Sequence, residues 1–195
     1  MKKQALISAF IALFTAIICV GCFIKIPLGV IPVVLQNVLC ILCAVLLGGF
    51  LGAAPTFLFL LAGLIGLPVY SGGTSGIVVW LGPTGGFLPG YLLGALVAGL
   101  ISGKPGVEEK KITVGRVIRL TVAITAGMVV VYIPGVIRFA YWAKTSASYA
   151  MTTCVLPFIP GDILKIAVAV PVALKLRPVA AQYLYSEINQ SEERE

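Results

Sequence analysis

The sequence predicts an all-α integral membrane protein. It forms one transmembrane domain over residues 1–195, with six transmembrane helices and both termini cytoplasmic. Three observations carry this. Apolar residues make up 59% of the chain and its mean hydropathy is +1.08, against an apolar share of about 45–50% in soluble domains. Charged residues make up 11%, less than half of the usual ~25%. The apolar residues gather in long runs rather than alternating with polar ones, which excludes an outer-membrane barrel. The same hydrophobicity excludes a disordered chain, and the 22 Gly and 12 Pro follow no collagen-like period.

A spanning helix takes about 20 mostly apolar residues. The runs are 4–24, 33–50, 53–70, 78–101, 114–142 and 154–177. The second is short, and a Gly-rich stretch between the third and fourth is placed to dip into the membrane. Basic residues set the orientation. With the N-terminus inside, the cytoplasmic side holds Lys2, Lys3, Lys104, Lys110, Lys111, Arg116, Arg119, Lys175, Arg177 and Arg194. The outer loops hold only Lys25, Arg138 and Lys144, and Lys165 belongs to neither set. The polar loop at about 103–113 and the acidic tail at about 186–195 are therefore cytoplasmic. Residues 1–22 imitate a lipoprotein leader ending in Val20-Gly21-Cys22. The chain then runs through Phe23-Ile24-Lys25-Ile26-Pro27 into another apolar span, so this segment is expected to remain as the first helix.

Several chemistries are excluded or weak. The net charge of +7 marks helix ends rather than a nucleic-acid surface, and the chain has no histidine. That removes His-based acid–base catalysis and every Ser-His or Cys-His dyad. Cys19-x-x-Cys22 and Cys40-x-x-Cys43 have zinc-like spacing, but they lie in apolar helices, where small packing residues are expected. Gly73-Thr74-Ser75-Gly76 matches the G-x-S-G of rhomboid proteases, whose nucleophile needs a His base. A Ser75–Lys165 pair is the only substitute available, which keeps an intramembrane hydrolase as a distant alternative. Gly99-Leu-Ile-Ser-Gly103-Lys104 lacks the spacing of a phosphate loop.

Four features remain. Asp162 is the only acidic residue outside the cytoplasmic loop and tail, and an ionisable group at membrane depth is a functional candidate by default. Lys165 follows at i+3, within pairing distance on a helix. Gly72-Gly73-Thr74-Ser75-Gly76 and Gly82-Pro83-Thr84-Gly85-Gly86-Phe87 leave backbone groups free, which lipid does not satisfy. They are expected to floor a polar pocket, whereas Gly90-x-x-x-Gly94 is expected to pack helices. Gln36-Asn37 opens the second span near the outer surface, where two amides either line a cavity mouth closed by the Pro27–Pro32 loop or anchor the helix at the interface. Ala5, Ala9, Ala12 and Ala16 give the first helix one smooth face for a neighbour.

Together these positions resemble the BioY-type biotin transporters, the substrate-binding S components of energy-coupling-factor (ECF) vitamin importers. The matching pieces are Pro32-Val-Val-Leu-Gln36, Gly72-Gly73-x-x-Gly76, Gly82-Pro-Thr-Gly-Gly-Phe87-Leu-x-Gly90 and Gly161-Asp162-x-x-Lys165. The resemblance implies a multi-pass protein of the bacterial plasma membrane that is not an enzyme and needs no cofactor. It implies that biotin binds from outside and is released inward with the help of a transmembrane coupling subunit and two cytoplasmic ATPases. Carried over by position, Asp162 and Lys165 become polar contacts to biotin. Gln36, Gly73, Thr74, Ser75, Gly76, Thr84 and Tyr91 become cavity residues, and the Ala5/Ala9/Ala12/Ala16 face becomes the coupling interface. Val34, Pro89, Tyr91 and Arg138 depart from the family's usual residues. An S component for another vitamin is the nearer alternative.

Overall fold

A computed structural model describes residues 2–26, 33–107 and 111–185. The Pro27–Pro32 loop, Lys110 and the tail from 186 lie outside these residues. Helix α1 (Lys2–Val20) runs through a 3-10 turn at Gly21–Phe23 into strand β1 (Lys25–Ile26). β1 pairs antiparallel with β2 (Val33–Val34), with Lys25 opposite Val34 and Ile26 opposite Val33. This pairing of two residues on each strand is a small addition to the expected all-helical chain. The remaining helices are α2 (Gln36–Leu47), α3 (Ala54–Leu64, entered by a 3-10 turn at Phe50–Ala53), α4 (Ile77–Leu81), α5 (Phe87–Ser102), α6 (Val114–Trp142), α7 (Ala147–Cys154) and α8 (Ile159–Leu184).

All six apolar stretches contain an apolar helix. Gln4–Phe23, Val114–Trp142 and Ala147–Leu184 are long and apolar enough to cross a membrane, while Gln36–Leu47, Phe50–Leu64 and Phe87–Ser102 are shorter. Helix α2 rises only about 18 Å at 1.5 Å per residue. It is the central element: ten of its twelve residues are buried, as expected of a helix that is apolar on every side and enclosed by others. Outward, Phe50, Ile65, Val78 and Tyr141 are each more than 70% exposed. A surface this apolar suits a lipid environment.

The expected fourth span is divided. A turn at Gly82–Gly86 separates α4 from α5, and it requires glycine at 85, where a Cβ would lie 1.9 Å from the Trp80 carbonyl oxygen. Arg138 of α6 donates to the carbonyl of Leu81, closing the end of α4. From the end of the turn into α5, Gly86, Gly90 and Gly94 bring α5 against α6. Their missing Cβ atoms would come within 2.1, 2.5 and 2.5 Å of the carbonyl oxygens of Pro134, Val131 and Gly127, the close approach that small residues permit between membrane helices. Helix α7 is an addition to the sequence reading. Lys144, with φ 51°, turns the chain after α6, and the Ser146 side chain caps the new helix by accepting from the Tyr149 N–H.

Arg177 requires a correction. The charge pattern counts it among basic residues flanking an apolar run, but it lies inside α8 and is 1% exposed. Its guanidinium donates to the carbonyls of Val45 at the end of α2, and of Ser102 (3.0 Å) and Gly103 (3.2 Å) at the end of α5. These carbonyls sit where helices leave acceptors without partners and where the macrodipole favours a cation. Cys22, Cys40, Cys43 and Cys154 are buried thiols within the helical packing.

Candidate ligand-binding cavity

The start of α8 carries the charged pair. Asp162 stands in its first turn, where the helix dipole favours a carboxylate. Lys165 Nζ lies 3.1 Å from Asp162 Oδ1, and both side chains are about one-tenth exposed. Two other helices complete the cluster. Asn37 at the start of α2 accepts from Lys165 Nζ through Oδ1 at 3.0 Å. Tyr132 in the middle of α6 donates its hydroxyl to Asp162 Oδ2. Each charge thus has an opposite charge and a second hydrogen-bond partner, the condition under which buried ions are tolerated.

Lys165, Asn37 and Tyr132 border a small hollow between the helices. Gln36, Tyr70, Ser71, Thr84 and Tyr91 supply the rest of its polar wall. Val34, Val79, Phe87, Leu88, Val131 and Phe158 make the other surfaces apolar. Asp162 does not line this hollow. It borders an apolar groove formed with α6 and α7 residues such as Met128, Ile133, Val136 and Met151, and Tyr132 stands between the two.

The structure therefore brings Lys165, Gln36, Thr84 and Tyr91 to one hollow and places Asp162 behind Lys165. Gln36 is 1% exposed, and its amide nitrogen is spent on the carbonyls of Val69 (2.7 Å) and Ile18 (3.3 Å). Its neighbour Asn37 is the amide that joins the charged cluster.

Gly73, Thr74, Ser75 and Gly76 do not border the hollow. They form a turn held by Tyr70 N–H donating to Thr74 O (2.9 Å) and tied to α3 by Gly76 N–H donating to Gly63 O (2.8 Å). Gly72, Gly73 and Gly76 all have φ between 75° and 81°, a conformation that glycine adopts without strain. Ser75 in this turn is not brought to Lys165, which is committed to Asp162 and Asn37.

The turn serves the cavity through the residues before it. Tyr70 is fully buried. Its hydroxyl donates to Leu60 O (2.6 Å) and accepts from Trp80 Nε1 (2.9 Å), and its ring stands edge-on to Phe59. A Cβ at Gly63 would meet that ring at 2.1 Å, so glycine there admits the tyrosine. Ser71 follows, and its Oγ is buried with no hydrogen-bond partner among the described residues. Sequence reasoning missed Tyr132, Tyr70 and Ser71. Only Ser71, next to the Gly72-Gly73 pair, carried any local signal.

This arrangement defines a class: a helical membrane protein with a small, largely apolar pocket and one charged polar corner, suited to a compact amphiphilic solute. Residues 1–182 match the BioY family model, and the chain belongs to the BioY family. It is 35% identical over 170 residues to the biotin transporter BioY of Thermotoga maritima, covering 87% of this chain and 95% of that protein. It is 35% identical over 185 residues to the biotin transporter BioY of Rhodobacter capsulatus, covering 86% and 88%. The fold superposes on a crystal structure of the S-component for biotin from an ECF-type ABC transporter. That match has a TM-score of 0.77 and 28% identity, and covers 89% of this chain and 92% of the other.

Proposed function

We propose that this chain is the biotin-binding S component of an ECF-type importer, a transport protein rather than an enzyme, which takes biotin from the outer side of the membrane. The observation that carries the reading is the charged corner of Lys165, Asn37, Tyr132 and Asp162 beside an otherwise apolar hollow. Biotin has the complementary chemistry: a ureido ring with two N–H donors and one carbonyl, an apolar thiophane ring and valeryl chain, and a carboxylate. Asp162, Lys165, Gln36, Thr84 and Tyr91 belong to the ligand site in this reading. Gly73, Thr74, Ser75 and Gly76 act by shaping the turn that holds Tyr70 and Ser71.

Six membrane crossings in one domain, with both termini cytoplasmic, fit the six apolar helices and the basic residues at their ends. Ala5, Ala9, Ala12 and Ala16 are all exposed on α1. That supports their docking on a transmembrane coupling subunit driven by two cytoplasmic ATPases. No cofactor is required for binding.

The test is equilibrium binding of biotin to the detergent-purified protein beside desthiobiotin, lipoate, thiamine and riboflavin. Biotin is expected to bind tightest, at about nanomolar Kd, near −12 kcal/mol. Preference for another vitamin would keep the fold and reassign the ligand.

A further inference from the structure

We infer that Tyr132 is a ligand-reading residue that accepts a hydrogen bond from a ring N–H of the ureido group, beside a Lys165 donor for the ureido carbonyl. This rests on the biotin reading of the cavity and deepens it.

The argument starts from proton counting. Asp162 is paired with Lys165, and an ionised carboxylate only accepts hydrogen bonds. The contact between Tyr132 and Asp162 Oδ2 therefore consumes the tyrosine's single proton. A phenolic oxygen whose proton is committed keeps lone pairs and can only accept. Lys165 has the opposite balance. Of its three N–H bonds, one goes to Asp162 Oδ1 and one to Asn37 Oδ1, which leaves one donor and no acceptor.

Tyr132 and Lys165 both border the hollow, and one carboxylate behind the wall holds them side by side. The wall thus presents an acceptor next to a donor. The edge of a cyclic urea presents the complement, an N–H next to a C=O. Asp162 orients both readers from behind and is itself absent from the lining. The ring of Tyr132 is steadied by Phe87, which meets it edge-on at 6.2 Å between centroids.

Two lactam analogues of biotin, each with one ring N–H replaced by CH2, provide the test. The wild-type protein is expected to bind one of them at least tenfold more weakly than biotin. Tyr132→Phe keeps the ring and removes the hydroxyl. It is expected to bind biotin at least tenfold more weakly, and to discriminate between biotin and that lactam by no more than about twofold. Its discrimination against biotin methyl ester should match the wild type, because the carboxylate end is not read by Tyr132.

Equal binding of biotin and both lactams by the wild-type protein overturns the inference without any variant. Undiminished biotin affinity in Tyr132→Phe, or full retention of lactam discrimination, overturns it as well. In each of these outcomes biotin still binds and the biotin reading stands. Failure of the folded wild-type protein to bind biotin removes both together.

Discussion

Helix α8 carries two cations largely withdrawn from the surface, the part-buried Lys165 near its start and the buried Arg177 twelve residues later, about 18 Å along the axis. Lys165 is met by side chains, Asp162 and Asn37, and keeps a donor at the edge of a hollow. Arg177 is met by backbone, spanning the carbonyls of Val45, Ser102 and Gly103 at the ends of α2 and α5. The two sites place a costly buried charge in different service. A cation that closes helix ends holds the fold together. One that faces a cavity with hydrogen-bonding capacity left over is available to a ligand.

The comparison is broken most directly at Arg177. Arg177→Met leaves the buried carbonyls of Val45 and Ser102 short of a donor, at about 1–3 kcal/mol each, and takes a donor from the part-buried Gly103 carbonyl as well. The expected outcome is a loss of at least about 3 kcal/mol of stability, seen as a large fall in Tm or in folded yield in detergent. Ligand preference in whatever folds should be unchanged. A variant as stable as wild type but altered in ligand preference would reverse the assignment of the two cations. Asp162→Asn attacks the other site. It should weaken biotin binding at least tenfold, about 1.4 kcal/mol, while the protein still folds; calorimetry on the purified variant checks this, and unchanged affinity would remove Asp162 from the site. Asn37→Leu takes one acceptor from Lys165 and keeps the ion pair. A loss of about fivefold in biotin affinity is expected, near 1 kcal/mol for one hydrogen bond, measured by titration at constant detergent.

The same contrast shows what the sequence makes legible. Asp162 and Lys165 stand three apart in an apolar run, and that spacing alone brings them together. The alanine face of α1 and the glycine packing of α5 are likewise written in local periodicity. Tyr132 carries no such mark. It lies within an apolar helix, and its partner is 30 residues away on another element. Arg177 misleads for a related reason: it follows Lys175 at the end of an apolar run and reads as a boundary charge. Only the assembled bundle shows that two other helices end against it. The glycines at 72–76 suggest a cavity floor because they leave backbone groups free. In the fold those groups bond to one another and to Cys22 and Gly63, and the cavity receives Tyr70 and Ser71 instead.

Ser71 gives the smallest and sharpest test of the cavity as a place where polar groups wait for a ligand. Its hydroxyl borders the hollow and is bonded to nothing among the described residues. Ser71→Ala therefore removes no internal hydrogen bond, and its effect on stability should stay within about 0.5 kcal/mol. Were the hydroxyl a buried defect, ligand affinity would be equally indifferent. As a ligand contact, its loss should cost biotin a few-fold in affinity, about 1 kcal/mol, with Tm unchanged. Parallel melting and titration of this one variant separate the two outcomes. The pattern is the inverse of that expected for Arg177→Met, in which stability falls and preference holds.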